Sequence, residues 1–288
     1  MNEDRQTLST ELLGFPPEAR VLIINADDFG MSRSINQAVL QSIEDGIAGS
    51  CSLMPPCPGA GEALELLRSH PHIPFGVHLT LVCDFPTHRW PPVTATEKVP
   101  SLLDRAGCLF TTITKAQLLA QAHLPDVERE LRSQLELVLA SGLTPTHLDW
   151  HALADGGRDD IFLLGLALAE EYGLAARVWL EPGRRIARSR TLPVVDHEFL
   201  DSFSLDIATK SARYRQLLHE LPAGLSEWAV HPGLADAPSR AVDDGWRVRY
   251  SDLEFLISSQ ARETVGQEGI VMIDYGIIQD AWSRQRRR

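Results

Sequence analysis

The chain has 288 residues, 44% of them hydrophobic and 23% charged, the balance of an ordinary globular protein. Its formal charge of −12 argues against a nucleic-acid binder, because a phosphate backbone needs a basic face. No run of about 18 apolar residues occurs, so no membrane partner is expected, and the polar first ten residues lack a signal-peptide core, which makes a cytoplasmic location the expectation.

In chain order, short apolar runs alternate with amphipathic stretches. Residues 21–26 (VLIINA) predict a buried strand, and 35–45 a helix stopped by Gly46. A strand over 50–54, a helix over 61–69 and a strand over 75–81 (FGVHLTL) follow. Residues 126–140 carry apolar side chains at helical spacing and end at Gly142. Next come a strand over 146–150, a helix over 160–172 stopped by Gly173, and a strand over 176–180. The remainder predicts a helix over 208–220, a strand over 227–230, a helix over 252–265 and a last strand over 269–274. Strands alternating with helices imply parallel pairing through helical crossovers. The expected fold is α/β, a deformed (β/α) TIM-like barrel of seven or eight parallel strands formed by residues 1–288 as one domain. A polar tail over 1–18, a loop insertion over 83–114 that includes RWPPV, and a C-terminal tail over 281–288 stand outside the rhythm, as does the irregular stretch 182–201. The basic tip of Arg284 and Arg286 to Arg288 reads as a solvated end. Cys51, Cys57, Cys83 and Cys108 show no CxxC spacing and read as reduced thiols.

Polar residues gather where these strands end. Asp27 and Asp28 follow the first strand, His78 sits in the third, His147, Asp149 and His151 lie at the fourth, and His231 ends a late one. In a barrel, such positions converge on one mouth. Two adjacent carboxylates are costly unless a cation or proton separates them. Residues 147, 149 and 151 share one face of an extended strand, and a carboxylate with two imidazoles suits a catalytic divalent metal. Trp90, Trp150, Trp179 and Arg177 stand near the expected mouth and are candidate substrate contacts. On a regular strand Trp150 would instead point away and pack under a helix.

Four motifs in this order, NADDFGMS, GVHLTL, PTHLDWH and VHPG, resemble the YdjC-like carbohydrate deacetylases, including the chitooligosaccharide type. The resemblance covers most of the chain. It implies a hydrolase that removes an N-acetyl group from an N-acetylated sugar or glycoconjugate and releases acetate. It implies one divalent ion, Mg2+ or Zn2+, held by Asp28, His78 and His151, with Asp27 as base and His231 as acid. His147 and Asp149 would then orient the ligands. Relatives are often homodimers. Typical members continue the fourth-strand motif as Ser-His-x-His, whereas this chain reads Trp150-His151-Ala152-Leu153, and a bulky ring beside the ligands should reshape the pocket. Two other classes compete. A non-haem iron oxygenase could use a two-histidine, one-carboxylate triad, and a non-enzymic sugar-binding barrel would not need Asp27 or His231.

Overall fold

The computed structural model describes residues 7–198 and 200–286. Helix α1 (Ser9–Leu12) leads into β1 (Arg20–Phe29), α2 (Arg33–Glu44), β2 (Ser50–Leu53), α3 (Ala60–Ser69) and β3 (Phe75–Leu79). Two short strands, β4 (Val82–Cys83) and β5 (Phe110–Thr111), precede α4 (Lys115–Gln121), α5 (Leu124–Ala140), β6 (His147–Trp150), α6 (Asp159–Tyr172) and β7 (Ala175–Ala176). The chain continues through α7 (Glu181–Ser189), β8 (Leu200–Asp201), α8 (Lys210–His219), β9 (Gly224–Val230), α9 (Ala237–Val242), α10 (Trp246–Leu256), α11 (Ser259–Gln267), β10 (Val271–Ile273) and α12 (Tyr275–Arg286).

Eight strands form one sheet in the order β7-β6-β3-β2-β1-β9-β8, with β10 beside β1, and every pairing in it is parallel. β10 and β2 share one edge of β1: β10 takes Val21 to Ile23, and β2 takes over from Asn25. The sheet curls into a half-barrel with helices outside it, and among the described residues its edges β7 and β8 do not pair. That is the expected deformed barrel with eight strands. Except for β8 and β10, the strands of the sheet are buried along nearly their whole length because both faces are covered. α5 buries Val127, Leu131, Leu135 and Val138, one stripe at helical spacing.

Several boundaries differ from expectation. The predicted helix over 252–265 is two helices, because the Ser258 hydroxyl accepts the Ala261 N–H (3.1 Å) and starts α11 afresh. The strand expected over 176–180 stops at Ala176. Beyond it the Asp155 carboxylate accepts the N–H groups of Trp179 (3.0 Å) and Leu180 (2.9 Å), and Pro182 opens α7. The stretch 182–201 thus holds a helix and an edge strand. The insertion 83–114 is folded too: β4 pairs with β5, and two 3-10 turns lie between them.

Neither tail is loose where it is described. Ser9 donates its N–H to Asp196 (2.9 Å). The C-terminal segment belongs to α12, where Trp282 is buried and donates to the Pro193 carbonyl (2.9 Å), and Arg286 reaches the carbonyls of Glu170 and Leu174. Residues 1–6, Arg287 and Arg288 lie outside the described residues. All four cysteines are free, and burial pushes the thiols of Cys51, Cys57 and Cys83 up.

Candidate active site

Parallel pairing delivers the polar strand ends to one mouth, which opens as a cavity of about 430 Å³ lined by Asp27, Asp28, His78, His151, Trp179 and His231 among others. Alternation along β1 would send Asp27 and Asp28 to opposite faces. The register against β2 shifts between Ala26 and Phe29, and Asp28 sits at φ +69°, a left-handed conformation rare for a residue with a side chain. This bulge brings both carboxylates to the mouth.

Each carboxylate meets its own buried arginine. Asp27 Oδ1 accepts Asn25 Nδ2 (2.7 Å), Arg177 Nη2 (2.9 Å) and Ser52 Oγ (3.3 Å), while Oδ2 accepts Arg177 Nη1 (2.8 Å) and faces His78 Nε2 at 4.0 Å. Asp28 Oδ2 accepts Arg249 Nη1 (2.7 Å), whereas Oδ1 lies 3.0 Å from His151 Nδ1 and 3.4 Å from His78 Nε2. Burial raises both carboxyls. Arg177 and His78 outweigh it at Asp27, and Arg249 with the two imidazoles outweighs it at Asp28, so both stay below the usual carboxylate range.

His78 is oriented from behind. His78 Nδ1 donates to Asp149 Oδ1 (2.8 Å), which aims Nε2 at Asp28. His151 Nε2 lies 2.8 Å from Asp84 Oδ1. Burial works against charge on both rings. Carboxylates outweigh it, led by Asp149 for His78 and Asp84 for His151, and push them up to about 10 and about 9. His147 differs: burial lowers it, and its ring stacks on Tyr275 (3.7 Å, 13°). Gly76 makes room for this ring, since a Cβ there would come within 2.5 Å of it.

Asp28, His78 and His151 each offer a donor atom within 4.8 Å of the others, and so do Asp27, His78 and Asp149. In the second set Arg177 already bridges the two carboxylates, with Nη1 2.8 Å from an oxygen of each. The first set fits a divalent ion: one carboxylate oxygen and two nitrogens, closing to about 2 Å from a shared centre. The protons that these carboxylates draw onto His78 and His151 are the ones a cation would displace.

The family model described as YdjC-like protein matches residues 21–267. The chain belongs to that family. A carbohydrate deacetylase of Geobacillus stearothermophilus is 32% identical over 89% of this chain and 97% of its own length, and one of Brevibacillus brevis is 28% identical over 88% and 98%. Among solved structures, a proposed cellobiose-phosphate cleavage protein of Enterococcus faecalis V583 superposes with a TM-score of 0.78 at 28% identity, covering 89% of this chain and 98% of that one. The parallel half-barrel, shared with that structure, is not the all-β jelly roll on which non-haem iron oxygenases usually sit, which counts against the alternative raised by the two-histidine, one-carboxylate pattern.

Within this YdjC-like chain the structure brings Asp27, Asp28, His78, His151 and His231 to one cavity, with Asp149 and His147 behind them. Two expected substrate contacts are corrected. Arg177 is buried, held by Asp27, Asp149 and Glu227, and does not line the cavity. Trp90 is only 1% exposed, packs edge-on against His88 behind His151 and does not line the cavity. Trp179 does line the cavity. Trp150 lines it too, while its ring packs so tightly on α6 that a Cβ at Gly165 would lie 2.7 Å from it.

Residues absent from the sequence reading complete the site. Arg249 on α10 joins Asp28, Asp84 and Asp243. Glu227, on β9, accepts Arg177 Nε (2.7 Å) and the Tyr275 hydroxyl (2.7 Å). Behind His231 lie Ser202 and Asp252. The one available signal was charge inside otherwise apolar strands and on a covered helix.

Proposed function

We propose that this protein is a metal-dependent carbohydrate deacetylase that hydrolyses the N-acetyl amide of an acetylated sugar or glycoconjugate, with Asp28, His78 and His151 holding the ion. The convergence of these three donors beside Asp27, with His231 lining the same cavity, carries the reading, and family membership with relatives named carbohydrate deacetylases supports it. Magnesium and zinc are the candidate ions, and two imidazoles favour zinc. When bound, the ion would polarise the amide carbonyl and lower the pKa of a water beside it.

The protein's own groups supply the rest. Asp27 is the base: Arg177, Asn25 and Ser52 fix its Oδ1, and Oδ2, which Arg177 Nη1 also holds and which stands 4.0 Å from His78 Nε2, takes the proton of the attacking water. The C–N bond then breaks, and His231 gives a proton to the departing amine. Asp149 keeps His78 turned toward Asp28, and Arg249 and Asp84 brace Asp28 and His151. Trp179 and Phe203 supply apolar walls against which a sugar face can rest.

Acetate release from a panel of N-acetylated mono- and disaccharides and glycoconjugates tests this. Release that stops with a chelator and returns with zinc or magnesium is expected. No release from any of them at saturating metal would overturn the proposal.

A further inference from the structure

His231 does not stand alone at the cavity wall. Its Nδ1 lies 2.8 Å from Ser202 Oγ, and Ser202 Oγ lies 2.6 Å from Asp252 Oδ2. Asp252 is completely buried and accepts three further donors: the N–H of His231 (3.0 Å) at Oδ2, the Tyr214 hydroxyl (2.7 Å) at Oδ1, and Lys210 Nζ at 2.5 Å from Oδ1. Lys210 is itself 1% exposed. A buried Lys–Asp pair is an expensive way to gain stability, because both ions lose their hydration. This one sits a single hydroxyl away from the imidazole.

The hydrogen-bond arithmetic of this cluster has one solution. An ionised carboxylate only accepts, so the Ser202 hydroxyl must donate its single proton to Asp252. Its oxygen can then only accept from His231, so Nδ1 carries a hydrogen and Nε2 is the nitrogen that gains and loses a proton. Phe203 holds the ring edge-on at 4.8 Å, and Asp201 Oδ1 stands 3.9 Å from Nδ1.

We propose that Ser202 and Asp252, with Lys210 balancing the buried charge, are positioning residues that hold His231 in the Nδ1–H tautomer so that Nε2 protonates the leaving amine. This rests on the deacetylase reading above. In the step, the Nε2–H bond breaks, an N–H bond forms on the amine as the C–N bond cleaves, and the electron pair remains on a neutral imidazole. Ser202 and Asp252 keep their own protonation states throughout.

A leaving group that needs no proton separates this role from a structural one. Ser202→Ala should lower kcat on an N-acetylated sugar by about 10- to 100-fold with KM little changed, and lower 4-nitrophenyl acetate turnover by less than about 3-fold. Nitrogen-15 shifts of the His231 ring give a readout independent of activity, since the wild type should hold the Nδ1–H tautomer and the variant a mixture. Equal loss on amide and ester, or unchanged amide turnover, would overturn the proposal, as would an unchanged tautomer in the variant. Should the wild-type protein release no acetate from any sugar, the parent reading fails while the ring shifts still decide the relay. Asp252→Asn strands buried Lys210 and serves only as a check on folding.

Discussion

Asp27 and Asp28 share a bulge and are each paired with a buried arginine, yet the two carboxylates are held differently. Arg177 grips Asp27 through both oxygens, and Asn25 and Ser52 add further donors to Oδ1. Arg249 reaches only one oxygen of Asp28 and leaves Oδ1 between two imidazoles. The first arrangement keeps a carboxylate charged and still, with donors on both oxygens. The second presents a lone oxygen among nitrogens, the shape of a ligand set. The lesson is that two identical side chains, adjacent in sequence, acquire separate duties from how many donors their neighbours commit to each oxygen.

Breaking the Asp28 side should have the larger effect. Asp28→Asn, His78→Ala and His151→Ala should each lose bound metal and at least about 10³-fold in kcat together, because the ion they would hold would supply the carbonyl polarisation. Metal analysis of the purified variants beside acetate release checks this. Full activity in any of the three would remove that residue from the set. Because the ion must displace protons from His78 and His151, metal affinity should also weaken as pH falls.

Breaking the Asp27 side should leave the metal in place. Asp27→Asn should keep wild-type metal content and lose about 10²- to 10⁴-fold in rate, the usual worth of a general base. Loss of metal along with rate would erase the contrast between the two carboxylates and make Asp27 a ligand.

Much of this was readable before the fold was known, for a physical reason. β1, α2, α5 and α6 carry long apolar periods that tertiary context did not override, and the parallel rule then sends their polar ends to one mouth. What stayed hidden depended on direction rather than type. β7 is two residues long, so alternation could not say that Arg177 turns inward to three carboxylates rather than outward to substrate. Asp84 lies in a segment with no period. Arg249 and Asp252, three apart on α10, look like a solvated helix face and are buried because α10 covers this side of the mouth. Trp90, in a loop insertion between arginine and two prolines, was expected to contact substrate. Its burial follows from the β4–β5 pairing, with Cys83 of β4 accepting the Trp90 N–H.

The smallest expected effect concerns how Arg177 divides its charge. Its third carboxylate, Glu227, accepts Nε with one oxygen and the Tyr275 hydroxyl with the other. Burial pushes Glu227 up from 4.5 to about 7 against the pull of Arg177. A carboxyl raised on folding stabilises the protein fully below its unfolded value, and that contribution fades as pH climbs through the folded value. Stability should therefore fall between about pH 5 and 8 in the wild type relative to Glu227→Gln, by no more than about 3 kcal/mol. Urea denaturation of both proteins across that window measures the difference. Diverging curves would mean that near neutrality Glu227 takes a proton and leaves the guanidinium to Asp27 and Asp149, which sharpens the grip on the proposed base. Parallel curves would mean that three ionised carboxylates share one cation at every pH, and the tight hold on Asp27 would then have to come from Asn25 and Ser52.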